Sequence, residues 1–129
     1  MTRFYRYTGL SFALIGVLHL MLGLVLYRRS FGSMLAGGLI NTVRHETAHQ
    51  LAFWFTFAGP IMLLVGYLMD WVVRQKRLTL PIGFGYALTS LSLLGVMLLP
   101  VSGFWLVLIL GTYLIIHAEL QSKPTTTRG

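Results

Sequence analysis

The chain has 129 residues, of which 56% are hydrophobic and only 10% are charged, and its mean hydropathy is +0.76. A soluble domain of this size needs more polar surface than these residues supply, so the composition favours a protein embedded in a lipid bilayer. Ten Lys and Arg residues against three acids give a net charge of +7. These cations cluster at the ends of apolar runs, which indicates membrane topology and argues against nucleic-acid binding. The chain has no cysteine, which excludes thiolate catalysis and cysteine metal ligands.

Four apolar runs predict an all-α polytopic membrane bundle with four transmembrane helices, and no linker divides it into more than one domain. The spans are predicted near residues 8–27, 49–71, 81–99 and 103–119. About twenty apolar residues, at roughly 1.5 Å per residue, cross the ~30 Å hydrocarbon core of a bilayer. Residues 120–129 are predicted to form a polar tail.

The first span carries Gly9, Gly16 and Gly23 at intervals of seven, so the three glycines share one helical face. Small residues at this spacing let another helix approach closely. His19 lies on the same side and is predicted to point into the bundle. As the one clearly intramembrane ionisable residue, it is the candidate for a proton, ligand or redox role. The alternative is a structural histidine with one hydrogen bond to Thr89, Ser92 or a backbone carbonyl.

Residues 30–44 are too polar and glycine-rich to span the membrane, and they predict a short interfacial helix broken at Gly37-Gly38. Asn41 or Thr42 is predicted to cap the next helix, which would then include the HETAH sequence that starts at His45.

The second span has Ala52, Gly59 and Gly66 at intervals of seven, which predicts a second face of small residues. Pro60 lies in the middle of this span and predicts a kink, because proline lacks the backbone donor. The third helix is predicted to start near Pro81, and an uncharged turn over residues 100–103 leads into the fourth.

An even number of spans places both termini on one side of the membrane, and the cations then divide seven to three. The side with more cations has Arg3, Arg6, Arg74, Lys76, Arg77, Lys123 and Arg128. The other side has Arg28, Arg29 and Arg44. Because positive loops face the cytoplasm, both termini are predicted to be cytoplasmic.

The HETAH sequence matches the His-Glu-x-x-His pattern of zinc metallopeptidases, in which two histidines four residues apart hold Zn²⁺. His45 and His49 are therefore the candidate metal ligands. A hydrolytic site needs a third protein ligand, and Asp70 lies about 30 Å away along a continuous span. The favoured interpretation is a polar helix start without a cofactor, and a loosely held zinc ion is the alternative. Asp70 and Arg74 are predicted to form an ion pair at the opposite end of the helix.

Three segments carry a resemblance: GVLHLMLG at 16–23, AFWFTFAGPIMLLVGYLMDW at 52–71 and LLPVSGFWLVL at 98–108. Through them the chain resembles a family of small bacterial four-helix membrane proteins known only as a domain of unknown function. The resemblance implies a four-span inner-membrane fold and brings no substrate, cofactor or catalytic residue.

Two classes of function remain open. The first is a non-enzymatic accessory subunit or small transporter-like protein, which packs through its glycine faces with a second copy or another membrane protein as partner. The second is a membrane enzyme or a redox or metal protein that uses His19 or the pair His45 and His49.

Overall fold

The computed structural model describes residues 3–38, 40, 42–44, 46–100 and 102–122, and the secondary structure of these residues is helical, which confirms the predicted all-α class. A 3-10 turn over Phe4–Tyr7 leads into the first helix, and a π-helical turn over Trp71–Gln75 extends the third. The five α-helices are α1 (Thr8–Leu26), α2 (Arg28–Ala36), α3 (Thr47–Asp70), α4 (Ile82–Leu98) and α5 (Phe104–Ser122).

Helices α1 and α3 are antiparallel and pack through the two predicted faces of small residues. A methyl group added at Gly66 would lie 2.5 Å from the backbone nitrogen of Ala13. One added at Gly16 would lie 3.0 Å from the carbonyl oxygen of Gly59. The absence of side chains therefore brings the two backbones into direct contact. We call this line of contacts, which runs from Gly9 against Asp70 to Gly23 against Thr56, the α1–α3 seam.

Helices α4 and α5 form a second antiparallel pair, joined by the short turn after Leu99. Three glycines contribute to this contact as well. A methyl group at Gly95 would lie 2.5 Å from the Phe104 ring, and one at Gly85 would lie 3.0 Å from Ile115 Cγ1. Side chains, more than backbone, oppose the glycines of this pair.

The two pairs meet where the first and last helical residues of the described chain come together. We call this the terminal end, defined by the ring stack of Tyr5 on His117, whose centroids are 4.1 Å apart. Tyr5 also accepts a hydrogen bond from the Leu80 amide at 2.7 Å, which fixes the segment before α4. Tyr5 belongs to one cluster of buried apolar side chains together with Phe12, Met69, Val73, Val107 and Leu114.

The predicted short helix between the first two spans is α2, which ends at Ala36 before Gly37, and Gly38 has a φ of +80°. The predicted helix over HETAH is confirmed for Thr47 to His49 and is wrong at Glu46, which precedes α3 in an extended conformation with φ −133° and ψ 131°; His45 lies outside the described residues. Thr42 belongs to a separate 3-10 turn, and the alternative cap, Asn41, lies outside the described residues. Beyond that start, α3 runs without interruption through Pro60.

Three helical segments of the described chain are long and apolar enough to cross a membrane: Phe4–Leu26, Thr47–Gln75 and Phe104–Ser122. Helix α4, with 17 residues, is apolar but shorter. Much of the outer surface is apolar, and α4 exposes Met97 and Leu98 by more than 70%. These features indicate membrane insertion.

Candidate functional site

His19 lies halfway along the α1–α3 seam, between Gly16 and Gly23, and is half-buried. Its Nε2 is 2.9 Å from the Phe55 carbonyl oxygen, so this nitrogen carries a hydrogen and donates it. The imidazole also stacks on the Phe55 ring, with centroids 4.2 Å apart. Of the predicted partners, the structure places a backbone carbonyl next to His19 and leaves Thr89 and Ser92 in the other helix pair.

The His19 bond lies next to the point where Pro60 interrupts the hydrogen bonds of α3. Proline has no N–H, so the Thr56 carbonyl loses its usual donor four residues later. His19 donates to the neighbouring carbonyl of Phe55. The Thr56 hydroxyl oxygen is enclosed here and has no hydrogen-bond partner among the described residues. A methyl group at Gly23 would lie 2.6 Å from that oxygen, so glycine at position 23 is what leaves room for it.

His49 joins three segments at the start of α3, and its side chain is buried. Its Nδ1 lies 3.0 Å from the Thr42 carbonyl oxygen, and its Nε2 lies 2.7 Å from Ser33 Oγ of α2. Glu46 Oε2 is 3.3 Å from the same Nε2. The imidazole therefore holds α2 and the 42–44 turn against the third helix.

Hydrogen counting restricts the chemistry of His49. A carbonyl oxygen only accepts, so Nδ1 carries a hydrogen. Ser33 has one hydroxyl hydrogen, and both Ser30 O, at 2.9 Å, and His49 Nε2 are within its reach. A neutral imidazole receives that hydrogen at Nε2, whereas a protonated one donates from Nε2 toward Ser33 and Glu46. Both ring nitrogens are engaged in either arrangement, so a zinc ion at Nε2 must displace the Ser33 contact.

The zinc-peptidase geometry requires both histidines and the glutamate on one helix. Glu46 lies before the helix, and His45 lies outside the described residues. Among the residues that the structure describes, no three His, Asp or Glu side chains are grouped so as to hold a metal ion.

Asp70 and Arg74 are at the terminal end, where Arg74 Nη1 lies 3.4 Å from Asp70 Oδ1. The Lys76 ammonium lies 4.9 Å from the centroid of the Trp71 ring. The Asp70 backbone lies directly against Gly9, so this ion pair is fixed to the last contact of the α1–α3 seam.

The stacked pair of Tyr5 and His117 is a site that the sequence reasoning missed. Both side chains are almost completely buried, 2% exposed for Tyr5 and 6% for His117. They line a cavity of about 330 Å³ between α5 and residues 79–82. An even number of spans already implies that residues near 5 and 117 share one membrane surface, and that signal could have brought the two rings together.

A second, smaller space lies between α1, α2 and α3. It has a volume of about 150 Å³ and an almost entirely apolar lining, with Leu20, Phe31 and Phe57 among its walls. Its one polar residue is Thr56. The space adjoins Pro60, where a kink was predicted.

Comparison with known proteins identifies a family. The sequence model of a family of unknown function, DUF6463, matches residues 3–121. Neither the curated proteins nor the solved structures contain a match to the chain.

Proposed function

We propose that this chain, which belongs to the DUF6463 family of unknown function, is a four-span membrane protein that serves as a non-enzymatic accessory subunit. The observation that carries the proposal is the α1–α3 seam. In this seam the two faces of small residues pack against each other within one chain, because Gly16, Gly59 and Gly66 contact backbone atoms of the partner helix. The result is a rigid helix pair with an apolar outer surface, which suits a framework on which another membrane component assembles.

The lengths of the helices support four crossings. At about 1.5 Å per residue, the 23 residues of Phe4–Leu26 reach roughly 34 Å and the 29 residues of Thr47–Gln75 roughly 43 Å. Helix α5 reaches roughly 28 Å with its 19 residues. The first two exceed the ~30 Å hydrocarbon core, and α5 approaches it.

Helix α4 is the fourth crossing in this proposal, although it has only 17 residues. A span needs between about 17 and 25 residues, so α4 is at the lower limit. It packs against α5 along its length, from Gly85 beside Ile115 to Gly95 beside Phe104. Because α4 is antiparallel to α5 and nearly as long, α4 crosses the membrane in the opposite direction if α5 crosses it.

The proposed orientation has both termini in the cytoplasm of a bacterial cell, with the chain in the inner membrane. The contact between Tyr5 and His117 supports a common side for the two ends. Arg6, Arg74 and Arg77 belong to segments at this terminal end, whereas Arg28 follows α1 at the opposite end. The positive-inside rule then assigns the terminal end to the cytoplasm.

An accessory role fits the polar groups better than a transporter role. His19 donates to Phe55 O, Ser92 donates to Leu88 O at 2.6 Å, and Thr112 donates to Leu108 O at 2.8 Å. The donor groups of these three side chains are therefore used in hydrogen bonds to nearby carbonyl oxygens. The two cavities described above lie at the terminal end and beside Pro60, where neither makes a path through the membrane.

The alternative function, an enzyme or a redox or metal protein, rests on His19 and on His45 with His49. The measurement that separates the two classes is the metal and pigment content of the full chain, purified in mild detergent, together with its native mass. An accessory subunit is expected to be colourless, to lose any zinc to a chelator, and to run in a complex heavier than one chain in its micelle. Stoichiometric zinc that survives the chelator, or a bound pigment, would contradict the proposal.

A further inference from the structure

The cavity at the terminal end has unused hydrogen-bonding groups in its wall. His117 is 94% buried, and neither of its ring nitrogens has a hydrogen-bond partner among the described residues. The fully enclosed side-chain atoms that lack a partner in the described chain are Thr56 Oγ1 and Thr89 Oγ1. Neither His117 nitrogen is among these atoms, and the open space that this side chain lines is the cavity.

Tyr5 adds a hydroxyl hydrogen to the same wall. Its oxygen accepts the Leu80 amide at 2.7 Å, but the hydroxyl donates to none of the residues that the structure describes. Burying a hydroxyl hydrogen or an imidazole without a partner costs free energy, so an acceptor in the cavity that binds both groups is stabilised. The rings are stacked at 4.1 Å with an interplanar angle of 17°, which holds both polar edges in fixed positions.

The charged groups near the cavity indicate the chemical class of the ligand that it binds. No carboxylate lines it in the described chain, since Glu119 accepts from the Tyr86 hydroxyl at 3.2 Å and Asp70 is paired with Arg74. Arg77 comes two residues before the wall and has a positive φ of 54°, an unfavourable conformation for a residue with a side chain. A cavity whose described lining has hydrogen-bond donors and no carboxylate favours a ligand with anionic oxygens.

We propose that this cavity binds a phosphate group, with the Tyr5 hydroxyl and the His117 imidazole as donors to its oxygens. Gln121 also lines the cavity and can supply a third donor through its amide. A volume of about 330 Å³ is at the lower end of the ~300–1,000 Å³ range of small-molecule sites. The same chemistry is offered by the headgroup of an anionic phospholipid at the membrane surface and by a soluble phosphate compound.

The test compares lipid retention by the full chain and three variants in neutral detergent. The probes are phosphatidylglycerol and a diacylglycerol with identical acyl chains, which lacks the phosphate, and native mass spectrometry measures the ratio in which they are retained. His117→Phe and Tyr5→Phe keep the ring stack and remove one polar group each. Tyr86→Phe is the matched control, because it removes a hydroxyl at the same end of the molecule that does not line the cavity.

The wild-type chain and Tyr86→Phe are expected to prefer phosphatidylglycerol, and His117→Phe and Tyr5→Phe to lose that preference by about tenfold, since each removes a hydrogen bond to a charged group. Equal preference in all four proteins would overturn the proposal and assign the lipid binding to surface cations alone. If His117→Phe does not fold, as judged by helicity, the Tyr5→Phe result decides.

The source of the phosphate is settled by nitrogen NMR of the wild-type imidazoles, with the His117 signal identified by its loss in His117→Phe. A shift of that signal on addition of inorganic phosphate as well as of phosphatidylglycerol supports a site for the phosphate group alone. A shift with phosphatidylglycerol only supports a headgroup site. No shift with either probe would overturn the proposal.

Discussion

The two helix pairs use glycine in physically different ways. In the α1–α3 pair, Gly66 faces the backbone of Ala13, and Gly59 faces the Cβ and the backbone nitrogen of Leu20. In the α4–α5 pair, Gly95 faces the ring of Phe104. A ring can rotate or be shortened by substitution, whereas a helix backbone moves only as a whole. The α1–α3 seam should therefore tolerate no added side chain, and the α4–α5 contact should tolerate one after local rearrangement.

The largest loss of stability is expected in the α1–α3 pair, where glycines face backbone atoms. Gly66→Ala places a methyl group 2.5 Å from Ala13 N, so the helices must separate along the seam. We expect a loss of about 3 kcal/mol in the free energy of unfolding, the upper end of the usual range for overpacking. The measurement is unfolding by sodium dodecyl sulfate in mixed micelles.

Gly83→Ala is the matched control for this substitution. It is also a helical glycine, but nothing lies within 4 Å of the added methyl group. It should be neutral or stabilising by up to about 1 kcal/mol, since alanine is the better helix former. Equal effects of Gly66→Ala and Gly83→Ala would show that the seam is not in close contact.

The second-largest loss of stability is expected in the α4–α5 pair, where Gly95 faces a side chain. Gly95→Ala brings a methyl group to 2.5 Å from the Phe104 ring and is expected to cost about 1 to 2 kcal/mol. Phe104→Leu shortens the opposing side chain, so the double variant should recover most of the loss that Gly95→Ala causes alone. A double-mutant cycle measures this coupling. Strict additivity of the two substitutions would contradict the proposed difference between the pairs.

A smaller effect is expected at His19, where the α1–α3 seam has its polar contact. His19→Leu removes the hydrogen bond to Phe55 O and should cost about 1 kcal/mol, the usual worth of such a bond between membrane helices. His19→Gln keeps an amide donor and should be nearly neutral in the same unfolding assay. A folded His19→Gln protein that has lost a cellular activity would instead assign the histidine a proton or ligand role.

The smallest effect concerns zinc at the start of α3. We expect His45 and His49 alone to bind Zn²⁺ no better than micromolar, because two imidazoles leave the ion mostly solvated. At ~1 µM free zinc, binding of this strength stabilises the folded chain by no more than about 0.4 kcal/mol. The measurement is zinc titration of the wild type and of His49→Ala. Zinc that survives a chelator in the wild type and is lost in His49→Ala would reverse this expectation.

The fold class and the helix boundaries were largely predictable, because apolar runs, glycines and prolines mark them locally. The predicted short helix after α1 and its end at Gly37 are confirmed. The two faces of small residues were also visible at intervals of seven. Spacing identifies a face but not its partner, so it could not tell whether Gly16 and Gly59 meet within one chain or between two copies.

The errors and omissions have one physical cause, contacts between residues distant in sequence. The HETAH segment is predicted as helix from its own residues, but α3 starts only at Thr47 and Glu46 is extended, while Ser33 and the Thr42 carbonyl contact His49 in the first turn of α3. The stack of Tyr5 on His117 joins residues at opposite ends of the chain. No local pattern contains either contact.

The central claim, that the small-residue faces of α1 and α3 meet within one chain, is tested most directly by a disulfide. The chain has no cysteine of its own, so Gly16→Cys with Met62→Cys introduces the only pair. A β-carbon at Gly16 would lie 3.0 Å from Met62 Cβ, slightly closer than the ~3.5–4.5 Å of a disulfide, and a small helix shift reaches that range. Mild oxidation in membranes should give a cross-linked monomer whose thiols resist alkylation, with each single-cysteine variant as control. A disulfide-linked dimer, or two free thiols, would contradict the account.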